Sequence, residues 1–540
     1  MKTSVKRLLS AVIAAALLCG GLVPALAAGE AQPTCAQRLL YDAGDFAIRA
    51  MGTALGLLFP AKIPSKYEQS PDFYPGMERF ITAPEGDKAW SLGYARASLI
   101  PEGYFDPVTK EYIGGNDVYV GGGLVGDGQR ALIDRKTPTK LLDDQCVRAT
   151  ALSDGSGRGI VAFASLDGFG LTSYDVREIR KLLRDFAKEK NLVSINIGVL
   201  HQHSVIDVLG MNGPLLEGIF LNPLANLTGW YPIFGGKNPA FMRHLHETVA
   251  KAVRDAVGDM RKGKLYYGKA DAAPYIHDKR EPIVFDPYLH RLRFRPNDGT
   301  KETWLVEYAA HCTGFGASTR AVSGDYPYYM EQRIGNKANF QMIQGAQLAI
   351  TLDTSAIPEK PTSLERIQAY GYKLGDLLIG IGSNDTQLPA ILNVRHREFR
   401  VPIDNPLHML MFRLGILQST SVKANCLGTK VDLVTEAGYM ELGNTLAVVI
   451  APGEIEPCLA MGGGLSAAEA WSGEDYEFTP MKDRTGGRAL LVFGIMNDHA
   501  GYFILPNDIH NFVLFGNEEI NAASTQAAKR LLEAFTELTK

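Results

Sequence analysis

A helical pattern that runs directly into a strand pattern is the feature that most constrains this fold. Residues Ser173–Lys190 carry an apolar stripe at helical spacing, formed by Val176, Ile179, Leu183 and Phe186. From Leu192 the period changes to two, and the apolar positions become Val193, Ile195, Ile197 and Val199. This alternation is typical of a strand with one buried face. A helix followed at once by a strand indicates a layered α/β domain.

The same mixture of patterns continues along most of the chain. Further strands are predicted at residues 145–152, 159–166, 305–310, 447–451 and 489–495, and further helices at residues 238–262 and 520–538. We therefore predict one mixed, multi-stranded α/β domain over residues 89–540, with no internal repeat. A chain of 540 residues is long enough to bury a large core.

The first residues have a different character. A basic start is followed by an uncharged apolar stretch, and Ala25-Leu26-Ala27 fits the small-x-small cleavage rule, so residues 1–27 are predicted to be a signal peptide. The mature protein would then be secreted or held in the cell envelope. An uncleaved membrane anchor is the alternative, although Gly20, Gly21 and Pro24 argue against it.

Residues 28–88 are predicted to be an N-terminal helical extension. Residues 37–58 have helical spacing, and four prolines interrupt the stretch that follows. This helix either packs on the main domain, which its periodicity favours, or makes peripheral contact with a membrane surface.

Charge and motifs exclude several classes of function. The 55 basic and 59 acidic residues create no large cationic field, so nucleic acid is not expected as a partner. The glycines of segment 121–126 match G-x-G-x-x-G, but no convincing helix follows, so we interpret them as a loop. The entry motifs of P-loop proteins and common serine hydrolases are absent from the sequence. Without a Cys-x-x-Cys pair, a thiolate zinc site is unsupported.

Two histidines extend the strand pattern beyond Val199. His201 and His203 keep the parity of the buried positions, so both imidazoles should project from one face at the end of the strand. Such a pair can bind one zinc ion, although a polar strand end without a metal explains it equally well. His244 and His246 have the same spacing on a predicted helix, where they point about 200° apart and cannot bind the same metal ion.

Three more strand patterns end close to a residue that can bind a metal. These residues are His311, Glu454 and Tyr502. In layered α/β domains, functional sites assemble beyond the ends of strands. Together with the His-x-His segment, the three residues form a nitrogen and oxygen donor set that suits zinc.

These segments resemble those of the neutral ceramidases, the neutral/alkaline non-lysosomal ceramidase family. The matching segments are His201-Gln202-His203-Ser204, Ala309-Ala310-His311-Cys312, Ser323-Gly324-Asp325, Pro452-Gly453-Glu454 and Asn497 to Tyr502. A weaker match to the N-terminal pattern of the family lies at residues 93–101. The resemblance implies a catalytic α/β domain of the neutral ceramidase type.

The resemblance also implies roles for individual residues. It implies a zinc ion bound by His201, His311, Glu454 and Tyr502. His203 would lie beside the metal and handle protons. Arg280, in the segment Lys279-Arg280-Glu281-Pro282, would stabilise the oxyanion of an amide carbonyl.

Two features depart from the family. Where its members have a Ser close to the zinc, the aligned residue here is Ala349, and Thr351 is two residues out of register. The stretch after Tyr502 is too short for the C-terminal β-sandwich that some members carry.

The expected function is therefore a secreted, zinc-dependent amidohydrolase that cleaves the N-acyl amide bond of a ceramide-like lipid or a related amide. Ala349 leaves open a non-catalytic, metal-stabilised envelope protein that binds lipid or polymer. An esterase that uses the same metal is a third possibility. Cys312 and Cys458 are expected near the metal, where a disulfide could join them.

Overall fold

A computed structural model describes residues 35–58, 63–115, 118–121, 137–213, 236–316, 319–413, 415–426, 428–510, 512 and 518–540. The predicted signal peptide and nearly all of the glycine-rich segment 121–126 lie outside the described residues. Within the described part of the chain, no helix combines the length and apolar character needed to cross a membrane.

The described residues form eight α-helices. They are α1 (Cys35–Leu58), α2 (Ser173–Lys190), α3 (Pro239–Gly258), α4 (Asp325–Ile334), α5 (Ser363–Gly380), α6 (Pro406–Arg413), α7 (Pro457–Met461) and α8 (Ala527–Leu538).

The strands of the first half of the chain are β1 (Trp90–Ser98), β2 (Lys140–Leu141), β3 (Cys146–Ser153), β4 (Ile160–Leu166), β5 (Leu192–Val199), β6 (Arg261–Asp271), β7 (Ile276–Asp278), β8 (Tyr288–Pro296), β9 (Glu302–Tyr308) and β10 (Ala321–Val322). Those of the second half are β11 (Ala338–Gln344), β12 (Ile350–Leu352), β13 (Thr386–Leu388), β14 (Leu392–Pro402), β15 (Ser421–Lys423), β16 (Val431–Leu442), β17 (Leu446–Ile450), β18 (Glu454–Ile455), β19 (Ala489–Phe493) and β20 (Tyr502–Phe503).

Two mixed sheets form the centre of the molecule. The larger sheet has nine strands in the order β11-β9-β8-β6-β1-β3-β4-β5, with β13 also paired to β6. Its strand pairs β4–β5 and β9–β11 are parallel, and the remaining pairs are antiparallel. The smaller sheet has five strands in the order β14-β16-β17-β19, with β15 paired to β16, and its β17–β19 pair is parallel.

The two sheets pack face to face, with helices on both outer faces. The inner core contains Trp90 and Phe163 from the large sheet and Met440 and Phe493 from the small one. Helices α2 and α3 cover one part of the outer face of the large sheet, and α4 and α5 cover another part. Helix α8 covers the small sheet. The fold is therefore a four-layer α/β sandwich, which confirms the predicted fold class.

Most predicted elements are confirmed at or near their predicted limits. Helix α2 and strand β5 have the predicted bounds, because each carries an unbroken apolar period. Helix α1 lies within the predicted N-terminal extension and packs against α6, and Arg38 donates a hydrogen bond to the carbonyl of Trp471. This contact favours the packed helix over the membrane-touching one.

The last helix is shorter than predicted. It begins at Ala527 rather than near residue 520, and a short 3-10 turn occupies Glu518–Asn521. The carbonyls of Ile520 and Ala522 accept hydrogen bonds from the amide of Asn405, at 3.1 and 2.8 Å. Carbonyls that bind a distant side chain are not available to an α-helical ladder, so tertiary contacts delay the start of the helix.

Candidate metal centre

The two histidine segments follow two strands of the large sheet. His201 follows β5, and His311 follows β9. Backbone bridges join the loops beyond these strands, because Gln202 pairs with Cys312 and His311 pairs with Thr351. The two loops are thus held together by the backbone before any side chain contributes.

Glu454 and Tyr502 reach the same place from the small sheet. They lie beyond the neighbouring parallel strands β17 and β19, whose loops therefore leave the sheet at one edge. The short strands β18 and β20 then pair in parallel, with Glu454 directly opposite Tyr502. The structure therefore brings all four predicted metal ligands to one place.

The carboxylate of Glu454 is the centre of the cluster. Its Oε1 lies 3.3 Å from Nε2 of His201 and 3.2 Å from Nε2 of His499, and its Oε2 lies 2.9 Å from Nε2 of His311. Two ligands of a tetrahedral zinc ion are separated by about 3.3 Å, given bonds of about 2.0–2.1 Å. The observed separations match that spacing.

Two backbone carbonyls orient the histidines for this role. Nδ1 of His201 donates to the carbonyl of Phe169, and Nδ1 of His311 donates to the carbonyl of Ile350, both at 2.6 Å. A proton on Nδ1 leaves the lone pair on Nε2, which is the arrangement found when histidine binds a metal. His201 also has a left-handed φ of 60°, a strained conformation that clusters at functional sites.

His203 lies at the edge of the cluster. Its ring centroid is 4.9 Å from that of His201 and 5.9 Å from that of His311. A nitrogen of each of these three rings lies within 4.8 Å of the others. His203 also faces the cavity, so it can reach a molecule bound there.

Burial and mutual contacts determine the charge states of the cluster. Burial lowers the pKa of His201 well below its usual value, which favours the neutral imidazole. Burial opposes ionisation of Glu454, but the neighbouring imidazoles, His201 foremost, hold the pKa of this carboxyl well below its usual value. Burial and the adjacent Glu454 raise the pKa of Tyr502. A neutral imidazole at His201 beside an ionised Glu454 provides nitrogen and oxygen donors that suit a divalent cation.

A cavity of about 370 Å³ opens above the cluster. One part of its wall is apolar and is formed by Phe169, Leu209, Met211, Phe412, Leu417 and Leu433. Lys279 and Glu518 add charged groups to the lining. The combination of an apolar wall with a few polar groups is typical of a site for a partly apolar small molecule.

Arg280 lies in a different environment from the one that its predicted role requires. Its guanidinium donates to Glu519 at 2.9 Å and to Asp508 at 2.7 Å, and Glu456 and Glu518 lie within 3.7 Å. The acidic neighbours overcome the effect of burial and raise its pKa further. Arg280 is not among the residues that line the cavity, whereas Lys279 is.

His499 is the residue that the sequence reasoning missed. It lies in the loop between β19 and Tyr502, contacts Glu454, and forms a candidate metal group with Glu454 and His201. Gly170 makes room for it, because a Cβ at position 170 would lie 2.0 Å from Nδ1 of His499. His499 lies within the segment Asn497 to Tyr502, which the sequence had already singled out. Its role could not be predicted, because it depends on the contact with Glu454, which is distant in sequence.

The five cysteines among the described residues are unpaired. Cys312 and Cys458 are buried free thiols, so the disulfide considered between them is not formed. Burial raises the pKa of both thiols, which keeps them protonated and unreactive.

Solved structures of ceramidases share this architecture. The crystal structure of neutral ceramidase from Pseudomonas aeruginosa superposes with a TM-score of 0.60 and 12% identity, over 84% of this chain and 74% of that chain. A ceramidase complexed with C2 gives a TM-score of 0.59 and 13% identity, over 84% and 75% of the two chains. The chain has the neutral ceramidase fold.

Sequence comparison adds nothing to this structural match. No family model matches the chain, and no curated protein matches it either. The resemblance noted in the short motifs agrees with the ceramidase fold. At 12–13% identity the match shows the fold alone.

Proposed function

We propose that this protein is a zinc-dependent amidohydrolase that cleaves an N-acyl amide bond, in a ceramide-like lipid or a related amide. The contact of one buried carboxylate, Glu454, with three imidazoles at zinc-ligand spacing carries the proposal. The cavity above these groups and the ceramidase fold support an amide with an apolar chain as the substrate.

His201, His311, Glu454 and Tyr502 are the proposed zinc ligands, and His499 is proposed as an additional or alternative one. Zinc bound there would lower the pKa of a water molecule and polarise an amide carbonyl. The carbonyls of Phe169 and Ile350 keep the Nε2 atoms of His201 and His311 in the binding orientation. Glu454 supplies the negative charge that retains a divalent cation.

The other residues of the cavity would position the substrate and move protons. His203 faces the cavity beside the proposed ligands, where it can accept a proton from water and return one to the leaving amine. Lys279 is better placed than Arg280 to stabilise negative charge on the carbonyl oxygen, because Lys279 lines the cavity. The apolar wall would bind the acyl chain and exclude water.

The proposed location is outside the cytoplasm. It is supported by the basic and apolar pattern of residues 1–27 and by the small-x-small motif that ends it. An enzyme in that location meets lipids and amides of the envelope or of the surroundings.

Hydrolysis assays test the proposal. The purified protein should release fatty acid from N-acyl-sphingosines or from short N-acyl amides, lose the activity with a chelator and regain it with zinc. His311→Ala should abolish turnover, and His244→Ala, a change in helix α3, should not. Turnover that is unchanged after complete removal of metal would refute the proposal. A p-nitrophenyl ester included as a substrate would reveal an esterase.

Ala349 favours a second candidate function. It is buried in the cluster that includes Leu348 and packs against Tyr502, and it provides no hydroxyl beside the proposed zinc. A metal-stabilised protein that binds a lipid without cleaving it would explain this substitution. Tightly bound zinc with no turnover of any N-acyl substrate or ester would establish that alternative.

A further inference from the structure

A second group of metal-binding side chains lies apart from the cavity. Asp286, His290 and Glu307 each place one ligand atom within 4.8 Å of the others. His290 on β8 and Glu307 on β9 are directly opposite each other in the antiparallel pair, and Asp286 is in the segment just before β8. None of the three lines the cavity above Glu454.

The spacing of these atoms suits a single cation. Nε2 of His290 lies 3.0 Å from Oδ2 of Asp286 and 3.7 Å from Oε2 of Glu307. These values lie on either side of the separation of about 3.3 Å between two ligands of a tetrahedral zinc ion. The longer distance exceeds a normal hydrogen bond, so the imidazole does not satisfy Glu307.

Glu307 is the observation that requires an explanation. Its side chain is 4% exposed, and it shares its strand parity with Leu305, which packs in the core between the sheets. Among the described residues, no donor forms a hydrogen bond to this carboxylate, and no lysine or arginine pairs with it.

The surroundings provide the support that a metal site needs. The hydroxyl oxygen of Tyr267 lies 2.8 Å from Nδ1 of His290 and can accept a hydrogen bond from it. With its proton on Nδ1, the ring directs the lone pair of Nε2 towards both carboxylates. Lys269, which is opposite His290 in the β6–β8 pair, places its amine over the ring of Tyr288, 3.5 Å from the centroid. Asp286 is 16% exposed and gives a cation a route from solvent.

We propose that Asp286, His290 and Glu307 bind a divalent transition-metal cation, with zinc as the reference ion. Ligands lose their protons when they bind a metal, and two carboxylates with one neutral imidazole then have a net charge of −2, which such a cation balances. The three ligands come from β8, from the segment before it and from β9, so the ion would join these elements near the edge of the core between the sheets. The role is structural, because the group is outside the cavity.

Zinc titration in the absence of the first site tests the proposal. The full chain carrying His201→Ala and His311→Ala is freed of metal and titrated with zinc against a zinc-binding dye. We expect about one remaining equivalent, and we expect Glu307→Gln to weaken its affinity at least about tenfold. His244→Ala should leave it unchanged. Circular dichroism checks folding, and Asp286→Asn is a second variant at a more exposed position.

The possible results distinguish zinc bound at this second site from zinc bound at the centre around Glu454. A single zinc in the unmutated protein that disappears with His201→Ala and His311→Ala would overturn the second site and leave the first intact. A single zinc that survives those changes and is lost with Glu307→Gln would support the second site and remove the metal from the proposed function. Zinc affinity unaffected by both Glu307→Gln and Asp286→Asn would overturn the second site.

Discussion

At the scale of single residues, the carboxylate of Glu454 holds the candidate metal centre together. Glu454 contacts three imidazoles that lie on three different loops. Its negative charge therefore decides whether these rings can bind one metal ion jointly. Two of the rings are already turned towards it by backbone carbonyls. The geometry is thus largely preorganised before a metal binds, which reduces the cost of binding.

Removing the charge of Glu454 should therefore abolish most metal affinity. Glu454→Gln keeps the shape of the side chain but replaces an anionic ligand with a neutral amide. We expect zinc affinity to fall by at least about tenfold, measured by competition with a zinc-binding dye. Glu247→Gln, an exposed change on α3, is the matched control and should have no effect. Equal affinities for the two variants would contradict this role of Glu454.

Arg280 illustrates a residue whose environment decides its role. Its guanidinium is surrounded by four carboxylates, so Arg280→Met would leave several buried negative charges unpaired. We expect a loss of about 3–5 kcal/mol in the free energy of unfolding, measured with urea.

Arg333→Met is the control for that experiment. Arg333 pairs with Asp376 in an ion pair that is about half exposed, and its loss should cost less than about 1 kcal/mol. Similar losses for the two variants would show that the ion pairs of Arg280 stabilise the fold no more than an exposed ion pair does.

At the scale of elements, the segment from β19 to β20 positions His499 and Tyr502 of the site. Gly501 precedes Tyr502 with a φ of 90°, and a Cβ there would lie 2.2 Å from the carbonyl oxygen of Asn521. Only glycine fits this conformation and this approach at once. The loop therefore depends on Gly501 to place Tyr502 opposite Glu454.

Gly501→Ala should lower both stability and zinc affinity, because the loop must move to relieve the clash. Gly487→Ala is a matched control, since Gly487 also has a positive φ, 84°, but has no atom within 4 Å of a Cβ. The control should cost only the conformational strain, about 1–2 kcal/mol of unfolding free energy, and should keep zinc affinity. The interpretation fails if the two variants behave alike in thermal unfolding and zinc titration.

The elements also show what could be predicted from sequence. Strand β5 and helix α2 were predicted because their apolar periods are local and unbroken. The start of α8 was wrong, because Asn405, more than 100 residues away, binds the carbonyls that the helix would need. The contact of His499 with Glu454 and the acidic partners of Arg280 were missed for the same reason, since both depend on distant segments that no local pattern contains.

At the scale of the whole molecule, the two sheets bury polar groups between them as well as apolar ones. His396 of β14 faces Ser194 of β5, with Nε2 2.7 Å from the hydroxyl. Gly438 makes room for the ring, because a Cβ at that position would lie 2.7 Å from Nδ1. Burial lowers the pKa of His396 to about 4 from a usual 6.5.

This histidine should make the packing of the sheets sensitive to acid. Its folded pKa lies below its unfolded pKa, so unfolding takes up a proton between pH 6.5 and about 4. Its contribution to stability is complete above pH 6.5 and is lost as the pH falls towards 4, with a slope of up to about 1.4 kcal/mol per pH unit.

His396→Gln removes this titration. Urea unfolding at several pH values should show a weaker loss of stability in acid for His396→Gln than for the unmutated protein, even if the variant is less stable at neutral pH. His244→Gln, a half-buried change on α3, should keep the full slope. Parallel curves for His396→Gln and the unmutated protein would contradict the assignment.

Loops from both sheets are proposed to form one zinc centre. Anomalous X-ray diffraction at the zinc edge, on crystals of the protein reconstituted with zinc, tests this centre most directly. We expect a peak about 2.0–2.2 Å from Nε2 of His201, Nε2 of His311 and a carboxylate oxygen of Glu454. A fully reconstituted protein without a peak at that position would contradict it.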